Sequence, residues 1–217
     1  MTRFGYCERS SGEFWAEPLN ALSNGAFILA AIAGLLLWRR AGRGDLPAAL
    51  LIVLVFAIGI GSFLFHTMPR RWTLLADVIP IQLFAFGYFG LALQRFIRLP
   101  LAAAILGTLA FLAASFALAD LIGPLLPPAA RGSAGYAAFV LGLFGVAAVL
   151  WRRGGMRAAA RLVGTAGFVF ALSLTLRSLD PLACQHVPFG LHWLWHLLNA
   201  CVLYLLLRAA ILARPTG

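Results

Sequence analysis

The sequence holds 217 residues, 62% of them hydrophobic and only 11% charged, with a mean hydropathy of +0.93. A water-soluble domain carries about 25% charged residues to wet its surface, so a soluble globule is excluded and lipid must cover the surplus apolar surface. The net charge of +10 does not indicate nucleic acid: every one of the 17 basic residues is arginine, and most stand in short gaps between apolar runs, where they encode membrane topology.

The first residues, MTRFGYCERSSGEFWAEP, contain no apolar run of the kind a cleaved signal peptide needs. The first apolar stretch is therefore expected to act as its own insertion signal. Seven such stretches follow, at Leu19–Trp38, Pro47–Met68, Thr73–Leu93, Leu99–Ala119, Ser133–Trp151, Leu162–Leu176 and Leu191–Leu212. Most reach the ~20 residues that a helix needs to cross ~30 Å of hydrocarbon. The sixth is short, with room to extend to Leu179. Open sheets cannot satisfy their backbone groups in lipid, so the expected fold is all-α, a seven-transmembrane helix bundle. Short connections favour antiparallel neighbours in one domain over residues 1–217, with 1–18 as a short extracytoplasmic segment.

Arginine orients the bundle. Arg39, Arg40, Arg43, Arg95, Arg98, Arg152, Arg153, Arg157, Arg161, Arg208 and Arg214 fall at one end; Arg3, Arg9, Arg70, Arg71, Arg131 and Arg177 fall at the other. The richer end is expected in the cytoplasm, which places the N-terminus outside and the C-terminus inside. Leu37-Trp38-Arg39-Arg40 and Leu150-Trp151-Arg152-Arg153 agree, each setting Trp at the interface and Arg beyond it. Basicity carried by arginine alone, with abundant Ala and Gly, is the composition of a GC-rich bacterial genome, and the expected location is then a bacterial inner membrane. Cys7 and Cys184 then share the outer, oxidising side, where a bridge between them is expected and two unpaired thiols are the alternative.

Polar groups within a bilayer are costly and usually functional. Here they are Ser62, His66, Asp77, Gln82, Gln94, Ser173, His192, His196 and Asn199. The topology brings five of them, Ser62, His66, Asp77, His192 and His196, to one depth just below the outer interface. His192 and His196 are four apart, so both imidazoles project from one helix face, and His66 adds a third nitrogen. Three histidines with an open position describe a catalytic zinc site, which would make hydroxide available near neutral pH. Asp77 is the candidate general base and Ser62 a candidate oxyanion donor. Haem ligation is the rival for the histidines, a packing role is the rival for Ser62, and a helix-dipole role for Asp77. His186, in the last outer loop, is left out of the metal set.

Ser62-x3-His66, Asp77 eleven residues further on, and His192-x3-His196 together resemble the CREST superfamily of seven-span membrane hydrolases. The alkaline ceramidase family resembles this chain most, through Tyr6-Cys7-Glu8, the run Glu17-x2-Asn20-x2-Ser23-Asn24, and Asp180-x3-Cys184. The resemblance implies Zn2+ on His66, His192 and His196, proton handling by Asp77 and assistance by Ser62. It also implies a Cys7–Cys184 pair and cleavage of the amide of a ceramide-like membrane lipid to a sphingoid base and a fatty acid. Eukaryotic members of the family also bind Ca2+ through their N-terminal segment, which implicates Glu8 and Glu17; Gly5 and Ser10 stand where that motif has Asp and Asn. Glu13 is an extra carboxylate nearby, or the partner of Ser10 in a helix capping box. An ester-cleaving lipid hydrolase uses the same constellation. A lipid-sensing receptor on the same scaffold is the remaining reading.

Overall fold

Eight α-helices build the chain, in a computed structural model that describes residues 6–42 and 44–213. Arg3, Arg43 and Arg214 of the topology count, and Gly5 of the calcium motif, lie outside the described residues. In order the helices are α1 (Pro18–Ser23), α2 (Gly25–Arg40), α3 (Leu46–Thr67), α4 (Arg71–Arg95), α5 (Leu101–Ile122), α6 (Ala137–Arg153), α7 (Arg157–Ala183) and α8 (His192–Leu212). α1 and α2 run on through Asn24 as one span, a 3₁₀ turn at Gly123–Leu125 extends α5, and a 3₁₀ stretch, Pro128–Tyr136, leads into α6. Seven helical spans result, each long and apolar enough to cross a membrane, with no strand among the described residues.

The sixth span departs most from the sequence reading, since α7 covers 27 residues, Arg157–Ala183. Arg157 and Arg161 at its start, and Arg177, Ser178 and Asp180 at its end, depress the local hydropathy without opposing a helix. Pro181 sits within the last turn of the same helix. Hydropathy found the apolar middle of α7 and missed its polar ends.

α3 and α8 run through the centre of the bundle. Half of the apolar core of α3 (50%) and 56% of that of α8 are buried, against 11% in α4 and in α5. Alanines with no exposed surface, Ala31 of α2, Ala48 of α3, Ala166 of α7 and Ala209 and Ala210 of α8, let these helices pack closely. At the arginine-rich end, Arg95 of α4 grips both carboxylate oxygens of Asp45 at 2.8 Å and donates to the Ala210 carbonyl of α8 at 2.6 Å. Asp45 in turn accepts from the Ala48 amide at the start of α3, and its own carbonyl accepts from the Trp38 indole. One charged group thus fastens α3, α4 and α8 at that end.

At the other end α3 and α4 come into backbone contact. A Cβ on Gly61 would run into the Ala76 carbonyl. Pro80, one turn on, has no N–H to give that carbonyl, and the bare Gly61 packs against it instead. This approach carries Ser62 and Asp77, the next residues on each helix, toward one another. Across the same end, Cys7 and Cys184 form a disulfide with Cα atoms 5.1 Å apart.

Gly61→Ala is expected to destabilise the protein by about 1–3 kcal/mol, whereas Gly87→Ala, whose Cβ meets only Leu51 at an ordinary 3.9 Å, stays within about 0.5 kcal/mol of wild type; thermal unfolding in detergent measures both. Alkylation of the denatured chain without reductant, read by intact mass, is expected to label Cys201 alone, and all 3 cysteines after reduction.

Candidate metal centre

The last turns of α3 and the first turns of α4 and α8 close one end of the bundle. The i,i+4 spacing sets His192 and His196 on one face of α8 with ring centroids 4.8 Å apart. His66, from the final turn of α3, reaches within 5.2 Å of His192 and 4.8 Å of His196, centroid to centroid. One nitrogen from each imidazole lies within 4.8 Å of the others. All three residues are buried.

Two of the rings are held by side chains from the segment that enters α1 and from α1 itself. His66 Nδ1 bonds the Glu17 carboxylate at 2.5 Å. His196 Nδ1 bonds the Ser23 hydroxyl at 2.7 Å. Ser23 spends its single proton on the Asn20 carbonyl, 2.9 Å away, so the network assigns the proton of the second bond to His196 Nδ1. A carboxylate only accepts, which gives His66 the same tautomer and leaves the Nε2 lone pair of both rings for a ligand. The third ring, His192, has a buried Nδ1 without a hydrogen-bond partner, and its backbone N–H, with that of Leu191, is capped by Asp180 Oδ1 at 3.0 and 2.6 Å. Three buried imidazoles with converging nitrogens, two of them fixed in the ligating tautomer, fit one metal ion.

The N-terminal segment covers this centre. The Tyr6 ring lies 3.9 Å from His192 and 5.1 Å from His66, and burial pushes its phenol well above the usual range. Cys7 is bridged to Cys184. Burial alone would raise the Glu17 carboxyl, but the bonds from His66 and Asn20 and the charge of Arg9 outweigh it and hold Glu17 below the usual carboxylate value. Gly190, just before α8, has φ +65°, and a Cβ there would collide with Asp180 Oδ1 and Cys7, so glycine alone lets the last loop close over the bridge.

The sequence-predicted residues divide. His66, His192 and His196 meet as expected. Half-buried Asp77 faces the Ser62 hydroxyl, with His66 and Arg177 nearby. Glu8 and Glu17, expected as calcium ligands, each accept hydrogen bonds from donors of the chain. Glu8 accepts from the backbone N–H groups of Leu19 and Asn20 at 2.7 and 2.8 Å; Glu17 accepts from Arg9, His66 and Asn20. Among the described residues, the three histidines form the only group of three or more His, Cys, Asp and Glu able to hold a metal. Ser10 and Glu13 cap no helix, because α1 begins only at Pro18 and Glu13 is exposed. His186 is exposed, apart from the centre.

Sequence reasoning missed Arg9, Ser23 and the role of Glu17. A signal was present: Glu17, Asn20 and Ser23 recur every third residue on the approach to an apolar span, which makes one polar face.

No curated protein matches the chain. A family model described as Ceramidase matches residues 3–215, nearly the whole length, including every residue of the centre described above. This seven-span chain belongs to the ceramidase family, a membership that implies ceramide hydrolysis.

Proposed function

We propose that the protein is a zinc-dependent intramembrane hydrolase, cleaving the amide bond of ceramide-like lipids to a sphingoid base and a fatty acid. The observation that carries this reading is the convergence of His66, His192 and His196, with their nitrogens within 4.8 Å, beside the Asp77–Ser62 pair. Three imidazoles suit zinc, and three protein ligands leave a position open, as catalytic sites do. Nitrogens that converge on one point suit a single ion better than the opposed pair that a haem takes. Bound there, zinc would supply a Lewis acid and a source of nucleophilic water at neutral pH.

The chain's own groups then have defined tasks. Asp77 accepts the proton of the attacking water on its carboxylate and returns it to the amide nitrogen as that nitrogen leaves. Ser62 has one O–H to donate: it holds Asp77 at rest and turns to the carbonyl oxygen as negative charge develops. Tyr6 and the bridged Cys7 screen the centre from bulk water, which strengthens these interactions.

Lipid access follows from the apolar cleft lined by Phe27, Ile81, Phe84, Phe111, Phe139 and Trp195, among others. Its wall approaches the metal centre, since the Phe27 ring lies 6.2 Å from His196 and Trp195 directly precedes His196 on α8. An acyl chain laid in it brings its amide to the histidines. The centre lies at the end of the bundle opposite the arginine-rich one, so charge bias turns it to the non-cytoplasmic side of a bacterial inner membrane. The chain acts as one hydrolase domain.

Purified wild type is expected to hold zinc by elemental analysis and to release fatty acid from ceramide, with product mass spectrometry as the readout and chelator abolishing turnover. His192→Ala is expected to lose both zinc and activity. Asp77→Asn should keep zinc while kcat falls by about 10²–10⁴-fold, the usual worth of a general base. Ceramide left intact while a phospholipid ester is cleaved would refute the amide reading. Equal zinc in wild type and His192→Ala would refute the metal assignment.

A further inference from the structure

Glu17 is an acidic side chain that is 1% exposed, and the guanidinium that pairs with it comes from the chain itself. Arg9 is 7% exposed. Its Nε donates to Glu17 Oε1, one terminal nitrogen donates to the His66 carbonyl at 2.6 Å, and the other reaches the Ser11 carbonyl at 3.4 Å. The opposite oxygen of Glu17 takes His66 Nδ1. One guanidinium thus holds His66 twice, by its backbone directly and by its ring through Glu17. The backbone contact has its own logic: the His66 carbonyl lies in the last turn of α3, where carbonyls lack helical partners and the helix dipole favours a positive charge.

We propose that Arg9 is the resident cation of the N-terminal segment, a positioning residue that sets His66 for the metal through Glu17 and makes a bound calcium ion unnecessary. The part that concerns His66 rests on the metal reading above. The part that concerns calcium follows from the donors already in place. Ca2+ takes six to eight oxygen ligands, yet Glu17 Oε1 is given to Arg9 and Oε2 to His66 and Asn20. Glu8 Oε1 is given to the Leu19 amide and Oε2 to the Asn20 amide, which caps α1. Ser10 is exposed and turned to solvent. A planar guanidinium with five donors can bridge a carboxylate and a carbonyl together; a lysine ammonium, as a point charge, serves such a bridge poorly.

Zinc affinity, measured by competition with a chromogenic chelator, and the visible spectrum of the cobalt-substituted protein test this without substrate. Arg9→Met is expected to weaken zinc by about 10–100-fold, the usual cost of losing an outer partner of a ligand, and to shift the cobalt spectrum. If Arg9 acts through Glu17, Arg9→Met adds little to the loss in Glu17→Gln; additive losses, or unchanged affinity in Arg9→Met, overturn the proposal. Should Arg9→Met fail to fold, Arg9→Lys carries the test: a weaker zinc affinity supports the bridge, and wild-type affinity overturns it. In wild type, calcium and a calcium chelator are expected to leave the melting temperature and zinc affinity unchanged; calcium retained stoichiometrically through gel filtration, or raising the melting temperature, overturns the second part. A wild type that holds zinc but leaves ceramide intact sinks the amide-hydrolase reading alone. One with no affinity for zinc sinks both.

Discussion

The bond between Glu17 and His66 Nδ1 joins two parts of the chain 49 residues apart, and most of the centre depends on it. An imidazole can turn about its bonds and can carry its proton on either nitrogen; a metal ligand must do neither. The carboxylate settles both, by accepting from Nδ1 and leaving Nε2 to face its partners on α8. A buried carboxylate is itself expensive unless it is paired and hydrogen-bonded. Arg9 and Asn20 meet that requirement, so the acid that orients the ligand is oriented in turn. Removing one member of such a buried set leaves an uncompensated charge, a loss of about 3–5 kcal/mol where it has been measured in other proteins. The N-terminal segment is therefore part of the centre, although it lies outside the spans.

What could be read in the sequence was what depends on neighbours along the chain. Seven apolar stretches marked the spans because lipid demands long runs of apolar residues. His192 and His196 marked a shared face able to hold a metal because four residues make about one turn. The common level of Ser62, His66 and Asp77 followed from helix direction alone. Partners supplied from afar were not readable in this way. Ser23 meets His196 across 173 positions; its spacing from Glu17 and Asn20 marks a polar face but does not name the partner. Glu8 and Glu17 were legible as important acids, but their partners within the chain were not, because Arg9 and the Leu19 and Asn20 amides are brought to them only by folding. Gly61 gave no local sign either, since its contact lies on the following helix.

Both inner helices are fixed at each end, by different chemistry. Away from the centre, Arg95 binds Asp45 before α3 and the Ala210 carbonyl of α8. At the centre, Arg9 holds the end of α3 while Asp180 caps the start of α8. Lipid offers little hydrophobic drive to bring helices together, so packing of small residues and polar links of this kind must define the bundle. Each link uses an orphan group that a helix end exposes: an amide at the start of α3 or α8, a carbonyl near the end of either. The geometry of the histidines then inherits the rigidity of two central helices clamped top and bottom, a precision that a loop-borne site would lack.

The same helix sets the register between lipid and metal. Along α8, His192 and His196 turn toward His66, while Trp195 lines the cleft and packs on Tyr136 at 5.3 Å and under the Arg177 guanidinium at 5.0 Å. A chain seated against Trp195 and Phe27 is therefore measured from the histidines by fixed helical geometry, about 1.5 Å of rise per residue. On the proposed function, a lipid would enter such a cleft from the bilayer with its polar linkage at the end where the three imidazoles, the acid and the hydroxyl lie. The level of the centre along the bundle would then select which bond of the lipid is presented, before any side chain distinguishes its atoms.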